Sequence, residues 1–179
     1  MSFAGKHPLC LFVTLLLVFL LAASGSAFSE GYRIDSGKRA VLNQSMQVRS
    51  GPGTSYSGSG SRLESGTEIS VLTSARDGSG SPWIQVEFPS QGNRKRGYVP
   101  AGCLSIDPGS LPGENTLGQY TVTQDCNGRF GPGQDYASQR VSVTSGTVVT
   151  VFAFENGYTL VQFQANGDLV RTWIPRSRL

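Results

Sequence analysis

The chain contains two copies of one sequence pattern, and this duplication constrains its fold more than any other feature. Arg49–Tyr56 (RSGPGTSY) recurs 80 positions later as Arg129–Tyr136 (RFGPGQDY). Beyond Trp83 the offset falls to 75, because the loop Thr73–Pro82 is shortened to Ala153–Gly157 in the second copy. Pairs at this second offset are Val86/Val161, Phe88/Phe163, Gly92/Gly167, Arg96/Arg171, Pro100/Pro175 and Leu104/Leu179. A repeat that tolerates a length change at a loop indicates a duplicated small domain.

The first 27 residues have the composition of an export signal. Lys6 and His7 form a short basic start, and residues 9–23 are an almost unbroken apolar run. Small residues at 25–27 match what a signal peptidase reads, so we expect cleavage after Ala27. The alternative is an uncleaved membrane anchor, for which the run is short because a spanning helix needs about 20 apolar residues. We therefore expect a periplasmic or extracellular protein that meets a membrane only transiently, during export.

The duplication sets the expected domain boundaries. The first domain covers residues 38–104 and the second covers 119–179, with an N-terminal extension over 28–37. Residues 105–118 contain two prolines and three glycines without a periodic pattern, which is typical of a linker. Domains this small bury only about 60% of their unfolded surface and are marginal alone, so we expect something to hold them.

Short β-branched and aromatic runs bounded by Gly, Pro, Ser and Asn predict an all-β chain after the leader. The predicted strands are Ala40–Val48, Glu68–Thr73, Trp83–Phe88, Gly97–Pro100, Tyr120–Gln124, Val148–Phe154, Tyr158–Gln164 and Val170–Pro175. Six strand residues are predicted to lie in the core: Val71, Val86, Phe88, Val151, Val161 and Phe163. Asn166-Gly167 predicts a hairpin, because both residues tolerate positive φ. Many short strands in so small a domain must close to hide their edges, which favours two small SH3-like barrels over a sandwich.

The first copy resembles the bacterial SH3-like (SH3b) domain family. Four segments carry the likeness in order: Val48–Tyr56 (VRSGPGTSY), Glu64–Val71 (ESGTEISV), Trp83–Val86 (WIQV) and Gly97–Pro100 (GYVP). The second copy is looser, since Tyr158 stands where the family has a tryptophan. The resemblance implies an SH3-like barrel in each copy and a binding module of the bacterial envelope, of the kind that contacts peptidoglycan. It does not fix the ligand.

Cysteine usage suggests a covalent link between the copies. Cys103 and Cys126 are the only cysteines after the leader, and an exported protein keeps disulfides. A bridge would close a loop of about 22 residues and contribute about 3 kcal/mol. The alternative is two buried or free thiols. We expect the disulfide, because neither cysteine has a counterpart in the other copy.

Composition argues against catalysis. The only histidine, His7, lies in the leader, so the mature chain lacks Ser-His-Asp and Cys-His machinery and any histidine metal ligand. Paired carboxylates could hydrolyse a glycosidic bond. None of the candidates recurs in both copies: Glu64, Glu68, Glu87, Asp135, Glu155 and Asp168. We expect no enzyme, no cofactor and no metal. The small excess of basic residues gives no case for nucleic acid.

Ligand-binding candidates flank the repeated turn and the last strand. They are Arg49, Tyr56, Tyr98, Arg129, Tyr136 and Trp173. A tyrosine face can stack on sugar or peptide while an arginine bonds a carboxylate. Alternatively, the arginines pair locally, the tyrosines pack under the turn, and the other aromatics belong to the core.

Two functions fit these features. The first is a non-catalytic binding protein whose two modules contact peptidoglycan or another cell-wall polymer with avidity. The second is an adaptor that docks another envelope protein, which exposed aromatics at a sheet edge would favour.

Overall fold

The computed structural model describes residues 38–179, and the predicted signal peptide and N-terminal extension lie outside the described residues. Residues 38–179 form two six-stranded antiparallel sheets, one from each repeat. The first contains β1 (Lys38–Val41), β2 (Met46–Arg49), β3 (Gly58–Leu63), β4 (Glu68–Arg76), β5 (Pro82–Ser90) and β6 (Asn93–Pro100). The second contains β7 (Gly118–Thr121), β8 (Cys126–Arg129), β9 (Ser138–Val143), β10 (Val148–Glu155), β11 (Tyr158–Ala165) and β12 (Asp168–Pro175). The all-β prediction is confirmed.

Both sheets have the same topology. The strand orders are β1-β4-β5-β6-β2-β3 and β7-β10-β11-β12-β8-β9. Register shifts between Val71 and Thr73 in β4 and between Val151 and Ala153 in β10 occupy equivalent positions. Such bulges bend a strand, so each sheet can curve around its own core. Short 3-10 turns follow β6 (Ala101–Cys103) and β12 (Arg176–Arg178) in the same way.

The sheets are curved but open. Among the described residues no ladder joins β1 to β3 or β7 to β9, so the hydrogen-bonded strands do not close a barrel. Each sheet encloses a separate hydrophobic core. All six predicted core residues are buried, and Val86, Val151 and Val161 are fully inaccessible. The repeat therefore corresponds to two separate cores rather than one shared core.

The predicted hairpin is confirmed, and the first strand prediction is partly wrong. Asn166 (φ 53°) and Gly167 (φ 89°) join β11 to β12 with the positive φ values of a type I′ turn. The predicted strand Ala40–Val48 breaks at residues 42–45, where the side chain of Leu42 enters the core. The predicted Tyr120–Gln124 is displaced to β7.

Three strands, β3, β8 and β9, lie outside the predicted ranges. β3 (GSGSRL) alternates exposed and buried residues, with Ser59, Ser61 and Leu63 inward. Two of these three inward side chains are serines, so the strand lacks the hydrophobic alternation that would reveal it. In β9, Val141 and Val143 do alternate, which is a detectable but short signal.

The predicted disulfide is wrong. Cys103 and Cys126 are both free. Cys103 is buried in the first core, where its Sγ accepts a hydrogen bond from Gln44 Nε2 at 3.1 Å. Cys126 packs against the second core, and burial raises its thiol pKa. Because each cysteine belongs to a different core, their sulfurs do not meet.

The linker packs against both sheets. Leu111 is buried in the first core. Pro112 and Glu114 form backbone hydrogen bonds with Ser74 of β4, and the Leu117 amide donates to Val151 of β10. Residues 112–117 thus cross from one sheet to the other.

Candidate functional site

The repeated Gly-Pro-Gly turn is built around a tyrosine ring. A Cβ added to Gly51 would lie 2.2 Å from Tyr56, and one added to Gly131 would lie 1.9 Å from Tyr136. Only glycine permits the ring to pack this closely against the turn. Arg49 Nη1 donates to the Tyr56 carbonyl at 3.2 Å, and Arg129 Nη1 donates to the Tyr136 carbonyl at 3.0 Å. Both arginines therefore hold their own turn.

Each tyrosine hydroxyl reaches into the other repeat. Tyr56 Oη donates to Gln162 Oε1 at 2.6 Å, and Tyr136 Oη donates to Glu87 Oε2 at 2.5 Å. Gln162 and Glu87 are equivalent positions at the offset of 75. The contact is therefore made twice with the roles of the repeats exchanged, as at the interface of a twofold-symmetric dimer.

Backbone hydrogen bonds reinforce this exchange. Tyr56 bridges Leu169 of β12 in parallel, and Tyr136 bridges the equivalent Arg94 of β6 in the same way. The Ser57 amide donates to the Leu169 carbonyl at 3.1 Å. The Ala137 amide donates to the Arg94 carbonyl at 3.0 Å. The turn of each repeat thus extends the sheet of the other, which restrains two domains that would be marginal alone.

Arg96 and Arg171, which are equivalent, lie at the two ends of this interface. Arg96 Nε donates to Glu87 Oε2 at 2.7 Å, and Arg171 Nε donates to Gln162 Oε1 at 3.0 Å. Each guanidinium lies over the tyrosine of the opposite turn, at 5.3 and 5.7 Å from the ring centroids. Arg171 also lies 5.4 Å from the ring centroid of Tyr98, and Arg96 lies 5.6 Å from that of the equivalent Trp173.

The outer partners of the two arginines differ. Arg171 pairs with Glu114 of the linker, whose side chain is 8% exposed and also accepts from Tyr98 Oη at 2.6 Å. Arg96 makes two hydrogen bonds to Glu155 at the end of β10, at 2.7 and 2.9 Å, and the Glu155 side chain is 41% exposed. We call these clusters the Arg171 corner (Arg171, Gln162, Tyr98, Glu114) and the Arg96 corner (Arg96, Glu87, Tyr136, Glu155).

The Arg96 corner forms the floor of a cleft of about 440 Å³ between the repeats. Leu72, Phe152 and Leu117 supply an apolar wall, and Asn115 and Asn156 are exposed at its rim. Of the predicted ligand-binding residues, Tyr136 and Trp173 line this cleft, and Arg49, Tyr56, Tyr98 and Arg129 do not. An apolar wall over convergent polar groups is the usual form of a ligand site.

Arg94 adds a second guanidinium to the cleft. It lies 4.5 Å from the centroid of the Tyr136 ring, and it pairs with Glu87 at 3.3 Å and with Asp135. Glu87 is buried between Arg94 and Arg96. Its negative charge is therefore compensated inside the cleft, as a buried carboxylate requires.

Burial changes the ionisation of the interface. It raises the pKa values of Tyr56 and Tyr136, and it raises that of the fully buried Tyr98 well above its ordinary value. Burial alone would lower the pKa of Arg96, but its hydrogen bonds to Glu155 and Glu87 and its neighbouring negative charges raise it instead. The phenols are consequently neutral donors and the guanidinium is a permanent cation.

A larger groove of about 590 Å³ lies between β3 and β9. Its lining is mostly small and polar, including equivalent residues of the two repeats such as Gly58 and Ser138. Lys95 Nζ in this groove donates to Ser61 Oγ at 3.1 Å, and burial lowers its pKa. The groove has no counterpart of the buried ion-pair network, so the cleft at the Arg96 corner is the stronger candidate.

Six residues of the two corners were not among the predicted ligand-binding residues: Glu87, Arg96, Glu114, Glu155, Gln162 and Arg171. Glu87 and Glu155 were considered only as catalytic acids, and Glu114 was placed in the linker. The recurrence of Arg96 as Arg171 was a detectable signal, because a repeated arginine on a buried strand needs a carboxylate partner.

Comparisons with family models, curated proteins and solved structures give no match to this chain. Over residues 38–179 no three His, Cys, Asp or Glu side chains are grouped to hold a metal ion. The same residues include no helix with the length and apolar character to cross a membrane.

Proposed function

We propose that this chain is an exported, non-catalytic binding protein of the bacterial envelope, built from two SH3b-like modules. The pattern of the Gly-Pro-Gly turn and the strands that follow it supports the family assignment. The two six-stranded antiparallel sheets, each around its own core, support one all-β module in each repeat. Residues 1–27 would direct export and then be removed.

The single observation that carries the proposal is the cleft that both repeats share. Its apolar wall and its paired Arg and Glu side chains allow sugar or peptide groups to pack and form hydrogen bonds there, above the buried rings of Tyr136 and Trp173. Because the repeats interlock, the two modules would act as one composite site rather than as two independent sites with avidity. The proposed ligand is peptidoglycan or another cell-wall polymer.

Retention on purified peptidoglycan sacculi tests this proposal. We expect the mature protein to sediment with sacculi, and Asn115→Trp at the cleft rim to reduce retention by obstructing the cleft. Ser105→Trp is the matched control, since it places the same ring at another exposed linker position outside the cleft. Loss of retention in both variants, or no retention of the wild type at low salt, would count against a wall-binding cleft.

A second candidate is an adaptor for another envelope protein. Tyr120, on the edge strand β7, and the adjacent Val148 are exposed. An exposed apolar edge can pair with a strand of a partner. Tyr120→Lys would then abolish co-purification of a partner from an envelope extract while leaving sacculus retention intact.

A further inference from the structure

The outer face of Arg96 is a carboxylate site that the chain itself occupies. Both terminal nitrogens of Arg96 point to Glu155, and their distances to its oxygens, 2.7 and 2.9 Å, form the fork typical of arginine and carboxylate. The Arg96 side chain is only 11% exposed, so its geometry is fixed by packing. Its position under the cleft presents this fork to an entering ligand.

Arg96 keeps its hydrogen bonds to Glu87 and Tyr136 whichever carboxylate binds its outer face. Glu87 Oε2 accepts from Nε at 2.7 Å, and Tyr136 Oη lies 3.1 Å from Nη2. Replacement of the outer carboxylate therefore leaves neither a buried cation nor a buried anion uncompensated. Exchange at this position avoids the main cost of breaking a buried ion pair.

The position of Glu155 allows its side chain to move away from Arg96. It is the last residue of β10, directly before the Asn156-Gly157 turn, and nearly half of its side chain is exposed. Released into solvent, its carboxylate regains hydration. Glu114, its counterpart at the Arg171 corner, is held in the chain crossing between the sheets and accepts from Thr73 Oγ1 and Tyr98 Oη. Only the Arg96 corner combines a fixed fork with an exposed occupant.

We infer that the cleft binds a ligand carboxylate, from a peptide C-terminus or a sugar acid, which replaces Glu155 on Arg96. The inference rests on the proposed function, in that it names the group recognised in the same cleft. The apolar wall of Leu72, Phe152 and Leu117 would contact the remainder of the ligand and supply the binding energy that favours it over the tethered Glu155. Glu155 then acts as an intramolecular competitor that lowers the apparent affinity.

Titration calorimetry at 0.15 M salt with defined probes tests the inference. The probes are N-acetyl-alanyl-alanine as the free acid and as its amide, and glucuronic acid against glucose. We expect at least one acid to bind about tenfold or more tightly than its neutral partner, and the pair that differs identifies the source of the carboxylate. Glu155→Gln should increase the affinity for that acid roughly two- to fivefold, because this factor corresponds to the free energy of a half-exposed ion pair.

Glu68→Gln is the matched control. Glu68 pairs with Arg39 at 2.8 Å and is similarly exposed, but it lies outside the cleft. The control should leave the affinity within experimental error, and equal tightening in both variants would overturn the inference by indicating a general charge effect. Equal binding of acids and neutral probes, or no tightening in Glu155→Gln, would also overturn it.

Sacculus retention separates this inference from the proposed function. Retention without acid preference rejects carboxylate exchange and leaves wall binding supported. Acid preference with tightening in Glu155→Gln, but without retention, supports the carboxylate site and rejects the cell wall as its source.

Discussion

The Arg96 and Arg171 corners occupy equivalent positions of the two repeats, yet their carboxylate partners differ in number and exposure. Arg171 has one carboxylate, Glu114, which the crossing linker buries. Arg96 has two, the buried Glu87 and the half-exposed Glu155. The outer carboxylate is therefore buried at one corner and exposed in the cleft at the other. A repeated residue can therefore acquire different roles when only one copy faces the connecting segment.

The largest expected effect is the difference in stability loss between variants of the two outer glutamates, Glu114 and Glu155. Glu114→Gln leaves the buried Arg171 without its carboxylate, and breaking such a pair costs about 3–5 kcal/mol in the free energy of unfolding. Glu155→Gln should cost about 0.2–1 kcal/mol, because the pair is half-exposed and Arg96 retains Glu87. Urea denaturation of both variants measures the difference. Similar losses would mean that the two corners are not distinct.

The next largest effect concerns the Gly-Pro-Gly turns. An alanine at Gly51 or Gly131 places its Cβ inside the contact distance of the tyrosine ring, and such overpacking costs about 1–3 kcal/mol. Gly131→Ala should cost more, since its Cβ would lie closer to the ring and Tyr136 donates to the buried Glu87. Thermal unfolding measures which of the two variants loses more stability. Gly66→Ala is unsuitable as a control because Gly66 has φ +85°. Gly102, with open space and no positive φ, provides the control. A neutral Gly131→Ala would refute the close-packing explanation of the motif.

At one pair of facing positions, the large and the small residue have exchanged strands between the two repeats. Val48 and Gly97 meet in the first repeat, and the equivalent pair in the second repeat is Gly128 and Thr172, so the bulky partner has changed strands. Gly97→Thr alone should cost about 2 kcal/mol by overpacking. Val48→Gly should also be destabilising, because Val48 is buried in the first core, and the double variant should lose less than the sum of the two single losses. A double-mutant cycle measures the coupling, and purely additive losses would show that the pairs do not compensate.

The smallest effect, for one tyrosine and one pH unit, is a pH dependence shared by both ends of the interface. The pKa values of Tyr56, Tyr98 and Tyr136 are raised in the folded state, so the unfolded chain releases these protons first. Stability is therefore constant below the ordinary pKa of 10 with respect to these groups and falls as pH rises above it. The expected loss is up to about 1.4 kcal/mol per pH unit for each tyrosine. Denaturant titrations between pH 9 and 11.5 in wild type and Tyr136→Phe test this. An unchanged slope in the variant would argue against a raised pKa at Tyr136.

Much of the fold was predictable because strand signals are local. β4, β5, β10, β11 and β12 coincide in large part with predicted strands, and their inward valines were recognised. β3 was missed because Ser59 and Ser61 fill its inward positions. The disulfide was predicted from cysteine number and compartment, which carry no information on which core each sulfur enters.

The candidate site was predictable only in part. Tyr136 and Trp173 were named and do line the cleft, whereas Arg49 and Arg129 bind their own turns. Glu87, Glu114 and Glu155 come from β5, the linker and β10, and no spacing in the sequence connects them to Arg96 or Arg171. Their partners depend on how one sheet sits against the other.

The sequence alone indicated two copies of one β-rich pattern, each with inward valines and a glycine-rich turn. Local alternation and glycine chemistry act over a few residues, so they can be read without coordinates. The coordinates were needed to show that the two turns interlock and that the outer carboxylate is buried at one arginine corner and exposed at the other. Those outcomes depend on long-range contacts, whose energies are set by packing between segments far apart in the chain.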